Sequence, residues 1–302
     1  MFLFKLLAYG FIYGVAIYTM FYYYPPVDIY GYMTVGVCVA GAALLLLLSL
    51  NRAAFWVDVN NPYIVGGWVS LALFLFLLMF AVDAGQELYT FFILAAAALV
   101  GLLNLDKPKY ILLQHEPRSS LSFVRGMLWG VVGFIAANFV LGIFVGSTII
   151  RNPVAAELLV GPITSQIEDW IGIGVEFILM LFLVAVPEEL MGRVFYMRMG
   201  SSVTDPFSAG LITLASGYAM HAVTRYDLEC GTLVLLVLTI VWLIITIAYI
   251  RHGLLASISA HATYNTLITA SIYGFEYVVV SLVVIMIVVL AVHWAKKKSV
   301  LF

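Results

Sequence analysis

The sequence predicts an all-α, polytopic membrane protein with about ten transmembrane helices. Hydrophobic residues make up 64% of the chain and charged residues only 10%, and the mean hydropathy is +1.10. Such a composition lies outside the range of soluble globular domains. Helices are favoured over barrel strands because lipid offers the backbone no hydrogen-bond partners, and because the apolar runs lack the alternation of barrel strands.

Apolar runs long enough to cross a hydrocarbon core of about 30 Å recur along the whole chain. The first run has no small-residue cleavage site before the next one, so we expect it to be retained as a helix. The candidate spans cover residues 2–22, 29–50, 63–82, 88–105, 126–150, 170–190, 207–224, 231–250, 253–274 and 277–295.

The polar residues divide the chain into three regions. Residues 1–105 hold four spans almost without buried charge, and we interpret them as an accessory four-helix membrane region. Residues 106–125 are a polar segment that is predicted to be a cytoplasmic loop. Residues 126–302 hold the other six spans and are predicted to be the core, with its functional motifs within residues 170–275.

The positions of lysine and arginine predict the orientation. If the N-terminus is cytoplasmic, eleven of these residues fall inside and only Arg151 and Arg225 fall outside. Because cytoplasmic loops carry the excess of positive charge, we expect a multi-pass protein of the cell membrane with both termini in the cytoplasm. The net charge of −2 suggests no nucleic-acid partner. The two cysteines, Cys38 and Cys230, lack metal-ligand spacing.

The sixth span contains the stretch "VAVPEELMGRVF", with three ionisable groups in an apolar run. A charge at mid-membrane costs about 2.5–3.5 kcal/mol on insertion scales, so it persists where it pairs or does chemistry. Glu189 and Arg193 are four residues apart and share a helix face, whereas Glu188 points about 100° away. Glu188 is therefore the less compensated carboxylate and the candidate general base.

A simpler interpretation is a structural ion pair, with one glutamate bound to Arg193 and the other reaching the cytoplasmic interface. Two further spans favour a shared site instead. The seventh contains His221, with Gly217 one turn before it, and the ninth has a polar stripe of Ser257, His261 and Asn265 at four-residue steps. A lone intramembrane histidine is more often a hydrogen bonder between helices. Polar groups on three spans favour a common functional site.

Three motifs in this order resemble those of a known family. "PEELMGR" matches Glu-Glu-x-x-x-Arg, His221 matches the histidine of Phe-x-x-x-His, and "HATYN" matches His-x-x-x-Asn. They are similar to the motifs of the CAAX prenyl protease type II family, also called the CPBP or Abi family of intramembrane glutamic endopeptidases. One departure is Gly217, which stands where the family has an aromatic residue. Either Tyr218 or a substrate group is expected to fill that space.

The resemblance implies a membrane-embedded endopeptidase whose catalytic residues lie in the core. Glu188 and His221 would activate a water, His261 and Asn265 would donate hydrogen bonds to the oxyanion, and the supporting residues would be Glu189 and Arg193. The implied substrate is a membrane-associated peptide or protein, and some family members trim prenylated tails. No cofactor and no metal are implied. Besides the substrate, the lipid bilayer is the expected partner.

Two alternatives remain open at this stage. A zinc-dependent membrane hydrolase would use two histidines and a glutamate as ligands, although the sequence has no His-Glu-x-x-His. A non-enzymatic scaffold, an immunity-type protein or a proton-coupled transporter would also use intramembrane Glu and His. A transporter is expected to show related polar segments in both halves, whereas here they gather in the second half.

Overall fold

The structure is a computed structural model that describes residues 24–49, 119–160, 184–199, 201, 205–273, 287 and 291, and the regular elements there are all helical. The α-helices are α1 (Ile29–Ser49), α2 (Ser119–Val145), α3 (Pro153–Val160), α4 (Val186–Glu189), α5 (Pro206–Arg225), α6 (Gly231–His252) and α7 (Leu254–Tyr273). A 3-10 turn covers Ile149–Arg151, and α4 continues as a π-helix over Leu190–Met199.

The all-α prediction is confirmed for the described residues, and the predicted count of about ten spans is not confirmed. Three described helical segments are long and apolar enough to cross a membrane, namely Ile29–Ser49, Leu121–Val145 and Gly231–His252. The predicted spans 2–22, 63–82 and 88–105, and most of 170–190 and 277–295, lie outside the described residues. Helices α5 and α7 have the predicted bounds to within one residue. These two helices carry more polar residues than the three segments that are apolar enough to cross a membrane.

Helix α2 departs most from its predicted bounds. It begins at Ser119, inside the segment predicted to be a loop over 106–125, and it ends at Val145 rather than at residue 150. Gly146 follows with a φ of +68°, a conformation that ends helices and suits glycine. The segment between the candidate spans 126–150 and 170–190 contains α3, where Asn152 Oδ1 accepts a hydrogen bond from the Ala155 N–H at 3.2 Å.

Helices α2 and α7 run parallel and pack closely through small residues. A Cβ added at Gly126 would overlap Ser259 and Ala256, and one added at Gly130 would meet Ala260 O at 2.5 Å. The Ser259 hydroxyl donates to the Phe123 carbonyl at 2.8 Å, which adds a hydrogen bond between the two helices. Small residues and such bonds are the usual means by which helices associate in lipid. This packing fixes α7, which carries His261.

Helix α1 packs against α5 and α6. A Cβ at Gly41 would lie 2.9 Å from Leu214 and 3.0 Å from Leu243, and Gly210 faces the Ala42 backbone. Near the start of α1, the Asp28 carboxylate accepts a hydrogen bond from the Thr232 hydroxyl. The described part of residues 1–105 therefore contacts the same helices that form the core. An accessory role for this region stays a prediction.

A helix cap and two tight connections set the directions of α5, α6 and α7. Asp205 caps the start of α5, because its carboxylate accepts from the Ser208 N–H at 2.9 Å. The turn between α5 and α6 leaves no room for a side chain at Gly231, where a Cβ would overlap the Arg225 carbonyl. Gly253, with a φ of +87°, ends α6 and lets α7 return alongside it.

Candidate active site

The innermost pair of the site is Glu189 and Arg193. Arg193 Nη1 lies 2.8 Å from Glu189 Oε1, and both side chains are fully buried. The pair predicted from the four-residue spacing is thus present, although the chain is π-helical from Leu190 onward. Arg193 Nη2 also donates to the Trp242 carbonyl at 3.0 Å. These contacts satisfy much of a charge that would be costly to bury alone.

His261 lies between the two glutamates. Its Nδ1 is 2.8 Å from Glu189 Oε1, and its Nε2 is 3.8 Å from Glu188 Oε2. An ionised carboxylate can only accept hydrogen bonds, so Nδ1 carries a proton in this arrangement. In a neutral ring, Nε2 then presents its lone pair toward Glu188. The carboxylate of Glu189 therefore fixes both the orientation and the tautomer of His261.

The two glutamates differ in their access to a ligand. The side chain of Glu189 is fully buried, whereas that of Glu188 is 18% exposed. Within the described part of the chain, Oε2 of each glutamate has no hydrogen-bond partner. A buried carboxylate oxygen without a hydrogen bond destabilises the fold unless a bound water or substrate donates to it. Of the two, Glu188 is the carboxylate that a water or a substrate can reach.

His221 is held by the helix that carries it. Its Nδ1 lies 2.7 Å from the Gly217 carbonyl, and since a carbonyl oxygen only accepts, Nδ1 is the protonated nitrogen of a neutral ring. Its ring meets the indole of Trp242 at a centroid distance of 5.8 Å and an angle of 76°. Glu188 Oε2 lies 3.8 Å from Nε2 of the other motif histidine, His261. A water shared by Glu188 and His221 stays a prediction.

The sequence interpretation missed Trp242, a residue of α6 that is only 3% exposed. Its indole Nε1 donates to the Thr213 carbonyl at 3.0 Å. Its ring also meets His261, at a centroid distance of 6.2 Å and an angle of 78°. Tryptophan in membrane proteins is concentrated at the interfaces, so one in the middle of an apolar span was a usable signal.

Trp242 also occupies the space beside Gly217. A Cβ at Gly217 would lie 2.7 Å from Cδ1 and from Nε1 of the indole. Tyr218, one of the two predicted candidates for this space, directs its hydroxyl to the Tyr24 carbonyl at 3.1 Å. The expectation that Tyr218 supplies the missing ring is therefore wrong, because the next helix along the chain supplies it.

Asn265 lies one turn beyond His261 on α7 and is partly exposed. Its carbonyl accepts from the Thr269 hydroxyl at 3.1 Å. Among the described residues, its side chain makes no hydrogen bond to another predicted site residue. Ser257, one turn before His261, is buried and donates to the Leu254 carbonyl at 3.0 Å. The oxyanion role of Asn265 stays a prediction.

In the described segments, no three His, Cys, Asp or Glu side chains come together in a way that can hold a metal ion. His261, which a zinc site would need, uses Nδ1 for Glu189. A zinc ion would therefore have to bind Nε2 of the histidines. Chelation experiments test this hypothesis.

The comparisons with known proteins agree with the three motifs. Residues 170–267 match the family model described as type II CAAX prenyl endopeptidase Rce1-like, and this match covers less than half of the chain. It includes Glu188, Glu189, Arg193, His221 and the three-motif order through Asn265. No match was found among the curated proteins or among the solved structures. The predicted resemblance is confirmed for this region: the chain is a membrane protein whose residues 170–267 match the family model of the Rce1-like CAAX endopeptidases.

Proposed function

We propose that the protein is an intramembrane endopeptidase in which Glu188 is the general base that activates water. One observation supports this most directly: His261 is held between two glutamates, of which one is locked by Arg193 and the other is partly exposed. A carboxylate that can be reached, beside a histidine of fixed orientation, is suited to proton transfer. The match to a protease family over residues 170–267 supports hydrolysis.

The proposed reaction uses the site residues in the following order. Glu188 takes a proton from a water as the water oxygen attacks the peptide carbonyl, and His221 helps to orient that water. The carbonyl oxygen becomes an oxyanion, which hydrogen bonds from His261 and Asn265 stabilise. As the tetrahedral intermediate collapses, the C–N bond breaks and Glu188 returns its proton to the leaving amine. Preorganised donors of this kind are worth about 2.7–4 kcal/mol of barrier each.

Glu189 and Arg193 have a supporting function in this mechanism. To donate from Nε2 to an oxyanion, His261 must carry protons on both ring nitrogens. The contact of its Nδ1 with Glu189, 2.8 Å in length, balances the positive charge that results. Arg193 keeps the Glu189 carboxylate in place through its own 2.8 Å contact. We therefore assign positioning, and not contact with substrate, to these two residues.

The proposed substrate is a membrane-associated peptide or protein. Prenylated tails are the class that the family description favours, and the site on α4, α5 and α7 would receive them from the cytoplasmic side of the cell membrane. This orientation rests on the distribution of Lys and Arg, which also predicts cytoplasmic termini.

The test compares membranes that contain the unaltered protein with membranes that contain the Glu188→Gln variant. New protein C-termini, measured by proteomics, should appear only with the unaltered protein. Glu157, an exposed carboxylate on α3, provides the matched control Glu157→Gln, which should behave as the unaltered protein. If the Glu188→Gln membranes show the same new C-termini, Glu188 is not the base.

A further inference from the structure

The indole of Trp242 fits a cradle made by two glycines on different segments. A Cβ at Gly217 on α5 would lie 2.7 Å from the pyrrole part of the ring. A Cβ at Gly192, in the π-helix, would lie 2.6 Å from Cζ2 on the benzene part. Real Cβ atoms do not approach other carbon atoms so closely. The ring occupies this place only because neither position has a side chain.

Trp242 binds Arg193 in two ways. Its carbonyl accepts a hydrogen bond from Arg193 Nη2 at 3.0 Å, and the guanidinium carbon lies 3.9 Å from the centre of the ring. A guanidinium over an indole face is a favourable cation–π arrangement, and more so where water is excluded. Trp242 thus restricts Arg193, which in turn holds Glu189.

The same ring contacts both histidines of the motifs. The centroids of His221 and His261 lie 5.8 Å and 6.2 Å from that of the indole, with both imidazoles nearly perpendicular to it. Perpendicular aromatic pairs at these distances are attractive. The indole is itself anchored by its hydrogen bond to the Thr213 carbonyl. It therefore limits the rotation of both imidazoles.

We propose that Trp242 is the positioning residue that takes the place of the aromatic residue missing at position 217, and that it aligns His221, His261 and Arg193 for catalysis. This inference rests on the proposed function. The aromatic ring of the second motif has moved from the helix of His221 to the next helix. Gly217 and Gly192, which have no side chain, leave room for the ring there.

Moving the aromatic ring from position 242 to position 217 tests whether the two positions share one space. Gly217→Phe places a second ring where the indole already lies, and Trp242→Ala removes the indole. We expect each single change to lower kcat by about 10- to 100-fold with little change in KM, because the misaligned groups act in the transition state. The double variant Gly217→Phe, Trp242→Ala restores one ring in that space, so its kcat should exceed that of both single variants. A double variant no better than the worse single one would overturn the exchange.

A second pair of variants distinguishes a ring that positions the histidines from a side chain that only fills the space. Trp242→Phe keeps a ring beside the histidines, whereas Trp242→Leu keeps only apolar bulk. Both variants are assayed at a temperature at which they are fully folded. The Phe variant should then retain a higher kcat than the Leu variant, and its pH profile should stay closer to that of the unaltered protein. Equal kcat and equal pH profiles for the two would show that the ring only fills space, which overturns the proposal. Trp129→Ala, on α2 and packed against the core, is the control for loss of a tryptophan elsewhere.

Thermal unfolding of the purified variants separates this inference from the proposed function. The exchange predicts that the two single changes each lower Tm and that the double variant lowers it by less than their sum. That result holds whatever reaction the protein performs. If Tm shows this coupling but the unaltered protein cleaves no better than Glu188→Gln, the proposed function fails while the shared space is supported. Strictly additive losses in Tm would contradict the shared space.

Discussion

His261 Nδ1 lies 2.8 Å from Glu189 Oε1, and this contact joins α7 to the end of α4. The same carboxylate oxygen accepts from Arg193 at 2.8 Å. One buried oxygen therefore links the first motif to the third. Because its partners are a cation and a ring N–H, the loss of its charge should affect stability as well as turnover.

The first prediction concerns the buried pair. Glu189→Gln keeps the size of the side chain but leaves the buried Arg193 without a counter-charge. Breaking a buried pair at one end typically costs about 3–5 kcal/mol. We expect a clear fall in the Tm of the purified protein, measured by thermal unfolding in detergent. Adding Arg193→Met should recover much of the Tm without recovering cleavage. An unchanged Tm for Glu189→Gln would contradict the pair's role.

The second prediction concerns the close packing of α2 and α7. Gly126→Ala would place a methyl group against Ser259 and Ala256, where a Cβ has no room. Helix separation should lower Tm and displace His261 from the glutamates, so cleavage should fall as well. Gly36→Ala on α1 is the matched control, because a Cβ there meets nothing within 4 Å. Equal Tm values for the two variants would contradict the parallel packing.

The third prediction concerns the attachment of α1. Asp28 accepts from the Gly31 N–H at 2.8 Å and from the Thr232 hydroxyl, so it caps α1 and joins it to α6. Asp28→Ala removes both bonds, and loss of an N-cap alone costs about 0.5–2 kcal/mol. Tm should fall while kcat changes little, since the two hydrogen bonds of Asp28 are to Gly31 and Thr232, which are not site residues. A large loss of kcat at unchanged Tm would show that α1 acts on the site directly.

The fourth prediction concerns metal ions. In the mechanism proposed, Glu188 and the histidines act without a metal, so exhaustive chelation should leave cleavage by the purified protein unchanged. Readdition of zinc is the second arm of the measurement. Loss of cleavage on chelation, with recovery on zinc, would favour the zinc hydrolase instead.

The sequence was a good guide wherever the signal was local. Apolar runs predicted the bounds of α1, α5, α6 and α7 to within two residues. A four-residue spacing predicted the pair of Glu189 and Arg193. Both signals depend only on helix geometry and on the cost of charge in lipid.

Contacts between distant segments could not be predicted in this way. Spacing along one helix does not show that His261 lies between Glu188 and Glu189, because that depends on how α7 packs against α2 and α4. It also does not show that a tryptophan on α6 occupies the space left by Gly217. Helix α2 was misplaced by several residues because the polar segment before it reads as a loop, although its serines are compatible with a helix start.

A non-enzymatic function remains a distinct hypothesis with its own test. A scaffold needs the fold but not the reacting groups, so a Glu188→Ala, His261→Ala double variant that inserts normally would keep the biological function of a scaffold. The protease mechanism predicts that the same variant loses that function.

The cleavage rate of the purified Glu188→Gln and Glu189→Gln variants tests the central claim most directly, with Tm measured on the same samples. The account predicts that Glu188→Gln has no detectable cleavage at an unchanged Tm, because Glu188 is the partly exposed carboxylate and Gln cannot accept the proton. It predicts that Glu189→Gln has a lowered Tm with residual cleavage. The reverse pattern, with cleavage retained by Glu188→Gln and abolished by Glu189→Gln at full stability, would contradict it.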